Sequence, residues 1–315
     1  MITETHLHGT PTSEVFKTSE VHNSRITEAL LHCTGIGPIR LAQLHEAGVR
    51  SWSDVVSSAA QLPIGRSSPL VEECQRCLEA LELNDIRYFV DRFAPLDKWR
   101  IVSEFLDETS FFDIETMGLE HNSPITVIAC WHRGELRTFV EHENLDDFLG
   151  LLDDVSLLAS FNGSSFDVPR VLDTFHIPDL PCPHLDLRWT CYHRGLKGTL
   201  KSIVSRLGFA RPTDLQDADG ELAVHLWNRW TLDRDHDARE LLLRYCASDV
   251  ILLMMLAHRL AERDVTSHAA WWRHLPSPAL ANSSDESTRS EGAVAPGAFG
   301  PGSLSKLRAR RKRTA

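Results

Sequence analysis

The sequence of 315 residues contains no apolar run approaching the roughly 18 residues that span a bilayer, nor a basic segment followed by an apolar one at its start. A membrane partner and a secretory leader are therefore not expected, and a cytoplasmic location is. Cysteine is sparse and scattered: seven residues, at 33, 74, 77, 130, 182, 191 and 246, form an odd set without the dense spacing of a secreted disulfide scaffold. Reduced thiols follow. Cys74 and Cys77 make a lone C-x-x-C in a helical-looking stretch, which reads as helix packing. Cys182, His184, Cys191 and His193 could supply four zinc ligands, but their C-x-H spacing is not that of a common zinc knuckle. Internal repeats are lacking as well. So is positive charge: the formal net charge is −11, which argues against binding a polyanion by electrostatics alone. Residues 276–315 hold seven basic and three acidic side chains, leaving −15 on the remainder. An acidic body is compatible with a site that recruits metal cations to face phosphates.

What is present divides into two polar ends and a patterned middle. Residues 1–22 have no hydrophobic period, and the C-terminal stretch 263–315 becomes rich in Ser, Gly, Pro and Ala from about Pro276 before closing on a Lys/Arg run at 306–313. Both read as disordered tails, the basic end either holding a polyanion or merely solubilising the chain. From Ser24 a helical pattern places Ile26, Leu30 and Leu31 on one face, and it breaks at Thr34-Gly35-Ile36-Gly37. A second helix is expected from Pro38, with Leu41 and Leu44 on its apolar face and Gly48 in the left-handed position after it. Ser51 to Asp54 looks like the cap of a third. Gly35 and Gly37 allow close backbone approach to a phosphate, and the following helix start offers free N–H groups. Residues 23–62 are thus expected to form a nucleic-acid-binding module, against the alternative of an ordinary helical packing unit. Residues 63–107 read as a helical linker.

From Thr109 the period changes to that of strands: Ser110 to Glu115, Ile125 to Trp131 after a Gly118 turn, and Leu136 to Val140 after Arg133-Gly134. A helix near 145–152, a strand at 155–161, a helix opening at Asp167, a short strand near 185–187 and helices at about 200–207, 222–230 and 238–259 follow. The expected class is α/β, a three-strand meander and then alternating helices and strands over residues 108–262.

Three segments of this region carry chemistry. Asp113 and Glu115 are two apart on a strand, so their carboxylates project to one side. Like charges so close are costly unless a cation intervenes. The pair could be a solvated strand face, but the flanking Phe111 and Phe112 argue for an inner strand. Asn162-Gly-Ser-Ser-Phe-Asp167 follows a buried strand, at the strand-to-helix edge where open α/β sheets bind ligands; helix capping is the alternative for Asp167. Tyr245 and Asp249, four apart on an apolar helix, face the same way, and alone would read as a hydrogen-bonded core pair.

Together F-D-I-E-T, N-G-S-S-F-D and Y-C-A-S-D resemble the three exonuclease motifs of the DEDD, or DnaQ-like, superfamily. Arg244 stands where the histidine subtype has its histidine, and Tyr245 indicates the tyrosine subtype. Asp85-Ile-Arg-Tyr-Phe, Lys98-Trp-Arg, His184-Leu-Asp-Leu and Thr199-Leu-Lys-Ser extend the likeness to the YprB-like branch, which often has a helix-hairpin-helix in front, as residues 31–55 resemble. The likeness covers residues 24–262. Met117 departs from it, standing where relatives tend to have threonine.

The resemblance implies an RNase H-like mixed sheet preceded by a small all-α helix-hairpin-helix module. It implies a nuclease in which Asp113, Glu115, Asp167 and Asp249 hold two Mg²⁺ or Mn²⁺ ions, Asp113 bridging them. Tyr245 would position the attacking water rather than act as a free base, and Asn162, Phe166, Gly35 and Gly37 would contact substrate. The expected activity is removal of nucleotides from 3′ ends, with DNA favoured over RNA. The alternatives are a non-catalytic nucleic-acid-binding scaffold and a structure-specific endonuclease. His184 and Asp186 read better as a satisfied core histidine and a turn-bonding aspartate, Trp227 and Trp230 as core. Lys197, Lys201 and Arg206 read as solvated cations or phosphate contacts.

Overall fold

A computed structural model of the chain describes residues 25–276, except 65–67, 119, 121–122, 217, 264 and 266–267. The tails expected at 1–22 and beyond 276 lie outside the described residues. The chain enters through one 3-10 turn, Arg25–Glu28, and not the helix expected from Ser24. Ile26, Ala29, Leu30 and Cys33 are all buried. Their apolar spacing is satisfied by turns that fold inward, so the periodicity marked burial correctly and the helix wrongly.

Helix α1 (Pro38–Glu46) has Pro at its start and Gly37 as an N-cap without a side-chain bond. It ends at Ala47, and Gly48 follows at φ 82°. Helix α2 (Trp52–Ser57) opens on a reciprocal capping box: Ser51 accepts the Asp54 N–H, and Asp54 accepts that of Ser51. Helices α3 (Ser68–Glu82), α4 (Ile86–Arg92) and α5 (Lys98–Glu104) complete an N-terminal helical region. The Trp52 ring stacks on Phe89 at 5.8 Å, and its indole N–H donates to the Ala29 carbonyl at 2.6 Å. Arg100 of α5 reaches back to the Arg25 carbonyl and the Glu28 carboxylate. Cys74 and Cys77 are fully buried on α3, with His32 Nε2 3.2 Å from Cys77 Sγ. Residues read as module and as linker therefore share one apolar cluster, which continues onto the sheet.

Strands β1 (Thr109–Thr116), β2 (Ile125–His132) and β3 (Glu135–Val140) form the meander. Arg133 and Gly134 both take positive φ at the β2–β3 turn, the geometry that matches strand twist. Helix α6 (Asp147–Leu152), β4 (Leu157–Ser160), α7 (Asp167–Phe175), β5 (His184–Asp186), α8 (Leu187–His193) and α9 (Leu200–Arg206) follow. Helices α10 (Gly220–Asp233), α11 (His236–Leu260) and the short α12 (His268–Trp271) come last. The sheet order is β3-β2-β1-β4-β5, antiparallel at β1–β2 and β2–β3, parallel at β1–β4 and β4–β5. This is the α/β arrangement expected from the sequence. Helix α5 lies in the stretch read as a helical linker; α8 was not anticipated, because its buried side, Leu187, Thr190 and Cys191, carries only one large apolar residue.

The sheet divides two cores. Phe112, Ile114, Ile128, Cys130 and Leu158 face α6 and α7. Phe111, Val127, Ala129, Leu157 and Ala159 face α11 and the N-terminal helices. Strand alternation puts Asp113 and Glu115 on the same side as Phe111, and hence against α11. That helix is long and apolar enough to cross a membrane, yet 83% of its apolar window is buried inside the protein, as befits the helix that covers a sheet. Residues 268–276, which the sequence placed in the tail, are folded back: Leu275 is buried, and the His274 ring meets Trp131 edge-on at 4.9 Å. Their low sequence periodicity hid three anchoring side chains, Trp271, Trp272 and Leu275.

Candidate active site

Three elements bring the acidic residues together. Asp113 and Glu115 come from the end of central strand β1, with partners Ala129 and Val127 on β2. Asp167 opens α7 just past β4. Tyr245 and Asp249 project from successive turns of α11. Ligand atoms of Asp113, Glu115 and Cys246 all lie within 4.8 Å of one another. The Cys246 thiol donates to the Asp113 carbonyl at 3.6 Å, and burial with the surrounding carboxylates pushes its pKa far up. It stays protonated and packs beneath the acids.

The electrostatics are those of crowded anions. Burial, and then repulsion from Asp249, Asp167 and Glu115, holds the Asp113 carboxyl well above the ordinary range. Glu115 is raised by burial and by Asp249 and Asp167. Asp167 is lifted to about 7, chiefly by burial, against the pull of N–H bonds that include one from Ile114. Asp249 is raised by burial and partly relieved by Arg211. Asp113 and Asp249 keep some solvent exposure while Glu115 and Asp167 are buried, so the cluster opens outward at one side.

Arg211, in the segment between α9 and α10, was not anticipated. Its guanidinium pairs with Asp249 Oδ1, lies 4.8 Å above the Tyr245 ring and donates to the Ala218 carbonyl at 3.3 Å. It is the only cation bonded directly to one of these four carboxylates among the described residues. Its Nε is buried without a partner. Nothing local in the sequence marks it, since the contact spans 38 positions.

The Asn162 loop owes its shape to side chains that the motif does not contain. Asn162 adopts φ 68°, a left-handed conformation asparagine tolerates. A Cβ on Gly163 would fall 2.8 Å from Ser160 Cβ and closer still to its Oγ, so only glycine fits beneath Asp167. Asp186 caps α8 through the Arg188 N–H and accepts the N–H groups of Asn162 at 2.8 Å and Ser164 at 3.1 Å. It is the turn-bonding aspartate expected. His184 is the satisfied core histidine, 2.8 Å from Ser160 Oγ, with a pKa lowered by burial to about 4.

The remaining expected contacts separate. The Asn162 amide oxygen accepts from the Arg188 guanidinium, and Asn162 lines one hollow of about 660 Å³. Phe166 lies under the Arg170 guanidinium at 3.7 Å and lines another of about 650 Å³ with Glu115. Gly35 and Gly37 belong to the N-terminal helical region. Gly35 takes φ 79° and its carbonyl accepts from Arg40, while Gly37 precedes α1 with open space where a side chain would be. Trp227 is buried, and Trp230 packs at the edge of the core. Lys197 lies over the Tyr192 ring, and Arg206 donates to the Lys197 carbonyl.

Residues 110–261 match the model of the RNase H superfamily. This segment is an RNase H superfamily domain. It spans β1 to α11 and contains every residue of the acidic cluster. No curated protein matches the chain. Among solved structures, the chain is similar to the family B DNA polymerase from the hyperthermophilic archaeon Pyrobaculum calidifontis. The likeness is 15% identical over 52% of this chain and 28% of that chain, with a TM-score of 0.37.

The donor set fits divalent metal. Four carboxylates face one space, they are poorly solvated, and among the described residues only the Arg211 guanidinium is bonded to one of them. All-oxygen donors suit Mg²⁺ and Mn²⁺, and bound cations would reverse the unfavourable charging of Asp113, Glu115 and Asp167.

Proposed function

We propose that the RNase H domain is a divalent-metal-dependent 3′→5′ exonuclease of the DEDD tyrosine type, acting on DNA. The observation that carries this reading is the convergence of Asp113, Glu115, Asp167 and Asp249 with Tyr245 from three distant segments. A purely structural acidic cluster would be paired with arginines or exposed to water; Glu115 and Asp167 are buried, and among the described residues no arginine is bonded to Asp113, Glu115 or Asp167.

Asp113, Glu115, Asp167 and Asp249 would hold two Mg²⁺ or Mn²⁺ ions. When bound, such ions supply a nucleophilic water at neutral pH and stabilise the leaving 3′ oxygen. Burial with the neighbouring carboxylates keeps the Tyr245 hydroxyl protonated; it can orient a water by hydrogen bonding but cannot serve as a base. Arg211, stacked on that ring, is placed to offer charge to a phosphate once Asp249 is neutralised by metal. Asn162 would position the terminal nucleotide from the loop that leads to Asp167, and Phe166 would contact substrate from the second hollow, whose wall it shares with Glu115. The N-terminal helical region, read as a helix-hairpin-helix, would hold duplex backbone at Gly35, Gly37 and the start of α1.

The test is a digest of end-labelled single-stranded DNA, duplex DNA and RNA with Mg²⁺, Mn²⁺ or EDTA, comparing wild type with Asp113→Ala. A ladder shortening from the 3′ end, abolished by EDTA and by the substitution, supports the reading. Products of internal size favour an endonuclease. Binding without any cleavage favours a scaffold.

A further inference from the structure

We propose that the hollow between the Asn162 loop, α8 and the start of α9 is a track for single-stranded nucleic acid leading to the acidic cluster, with Trp189 and Tyr192 as base-stacking platforms. The proposal rests on the nuclease reading for its direction but not for its binding chemistry.

Three observations carry it. The first is unpartnered aromatic surface. Helix α8 buries Leu187, Thr190 and Cys191, which turns its other face outward and leaves Trp189 54% and Tyr192 46% exposed. The two rings sit edge-on, 6.1 Å apart. A soluble protein leaves such area open at a cost, and bases of any sequence stack on it.

The second is charge. The chain carries −11, yet among the described residues the only charged ones lining this hollow are Arg188 and Lys197. Both are already poised over the aromatics, Arg188 at 5.8 Å from the Trp189 ring and Lys197 at 4.7 Å from that of Tyr192. Cations interleaved with aromatics suit a strand whose phosphates and bases alternate. The hollow beside Phe166 has the opposite character, with Glu115, Asp219 and Glu221 in its wall. Without bound metal, a phosphate backbone is repelled there and admitted here.

The third is continuity. Asn162 lines the track, and its amide oxygen is bonded by Arg188. Two residues further, the same loop is pinned by Asp186, and at Asp167 it reaches the carboxylates. On this proposal a strand lying along α8 follows the Asn162 loop towards Asp167. A duplex does not fit this description, because its bases are stacked on each other and unavailable to Trp189 and Tyr192.

The experiment measures fluorescence anisotropy of 5′-labelled oligo-dT and oligo-rU, and of a blunt hairpin duplex, with the full chain in EDTA, where no cleavage competes. Wild type is compared with Trp189→Ala, Tyr192→Ala, Trp189→Phe and Arg188→Ala/Lys197→Ala. Each alanine replacement of a ring should weaken single-strand binding by roughly ten-fold, Trp189→Phe should restore most of it, and duplex binding should hardly change. The paired cation removal should weaken binding and flatten its salt dependence. The rise in melting temperature caused by Mn²⁺ should be unchanged in the ring variants, which shows that the acidic cluster is intact. Loss for oligo-dT or oligo-rU supports the track and names its sugar. Unaltered single-strand affinity in both ring variants overturns the track even if 3′ cleavage is found. Ring-dependent binding without cleavage by wild type keeps the track and sinks the nuclease reading.

Discussion

Replacing Asp167 by asparagine should stabilise the metal-free protein while weakening its response to metal. Asp167 is 3% exposed, and its carboxyl is raised from 3.8 to about 7, first of all by burial. Three pKa units correspond to about 4 kcal/mol of charging cost. The sign follows from proton linkage. The folded state holds this proton more tightly than the unfolded chain, so stability is full below pH ~4, falls as pH rises, and has lost the whole increment above about 7. The asparagine side chain cannot charge and retains an oxygen for the Ile114 N–H. At pH 8 in EDTA the variant should therefore melt about 8–16 °C above wild type, taking ~2–4 °C per kcal/mol for a protein of this size. At pH 4–5 the two should converge. Adding Mn²⁺ should narrow the gap, because wild type gains binding energy that the variant lacks; about 2.7 kcal/mol is expected at a hundred-fold excess over Kd and about 4.1 kcal/mol, enough to close it, at a thousand-fold excess. Differential scanning fluorimetry from pH 4 to 9, with EDTA or Mn²⁺, reads all of this. A wild-type profile as flat as that of Asp167→Asn in EDTA would refute the claim that the cluster is charged at a cost that metal relieves.

Gly163→Ala should lower stability by about 1–3 kcal/mol and abolish turnover. Adding Ser160→Gly, which removes the obstructing side chain, should recover much of the loss in a urea melt. Arg211→Ala leaves the Asp249 carboxylate without its ion pair. About 3–5 kcal/mol should be lost in EDTA, and the Mn²⁺-induced rise in melting temperature should exceed that of wild type; an equal rise would show that Arg211 does not stand in for a cation. Tyr245→Phe keeps the ring under Arg211 but removes the hydroxyl. Its kcat should drop by roughly 10- to 100-fold at unchanged Mn²⁺ stabilisation, whereas a purely structural tyrosine would leave kcat intact.

Much of the fold and of the site could be read from local pattern. The meander was visible because strand alternation and the Arg133-Gly134 turn are short-range features. Asp113 and Glu115 could be placed on one face by their spacing of two, and Tyr245 and Asp249 by their spacing of four. Ser51 with Asp54, and Gly48, marked helix ends because caps satisfy backbone groups within a few residues. The same reasoning misjudged Arg25–Glu28, where inward-folded turns bury the residues a helix would have buried, and passed over α8, whose buried side has only one large apolar residue.

By itself, then, the sequence determined which side chains could carry charge to a common place: pairs at fixed spacing on elements whose period is local. Only the tertiary structure decided what surrounds them. Arg211 reaches Asp249 across 38 positions, and Asp186 fastens Asn162 across 24. Cys246 lies under Asp113 from 133 positions away. Trp189 and Tyr192 are left outside because the opposite face of α8 is the one that packs. Such pairings depend on how α11 and the sheet close on one another, and burial in that closed space turns four ordinary carboxylates into a cluster that favours cations.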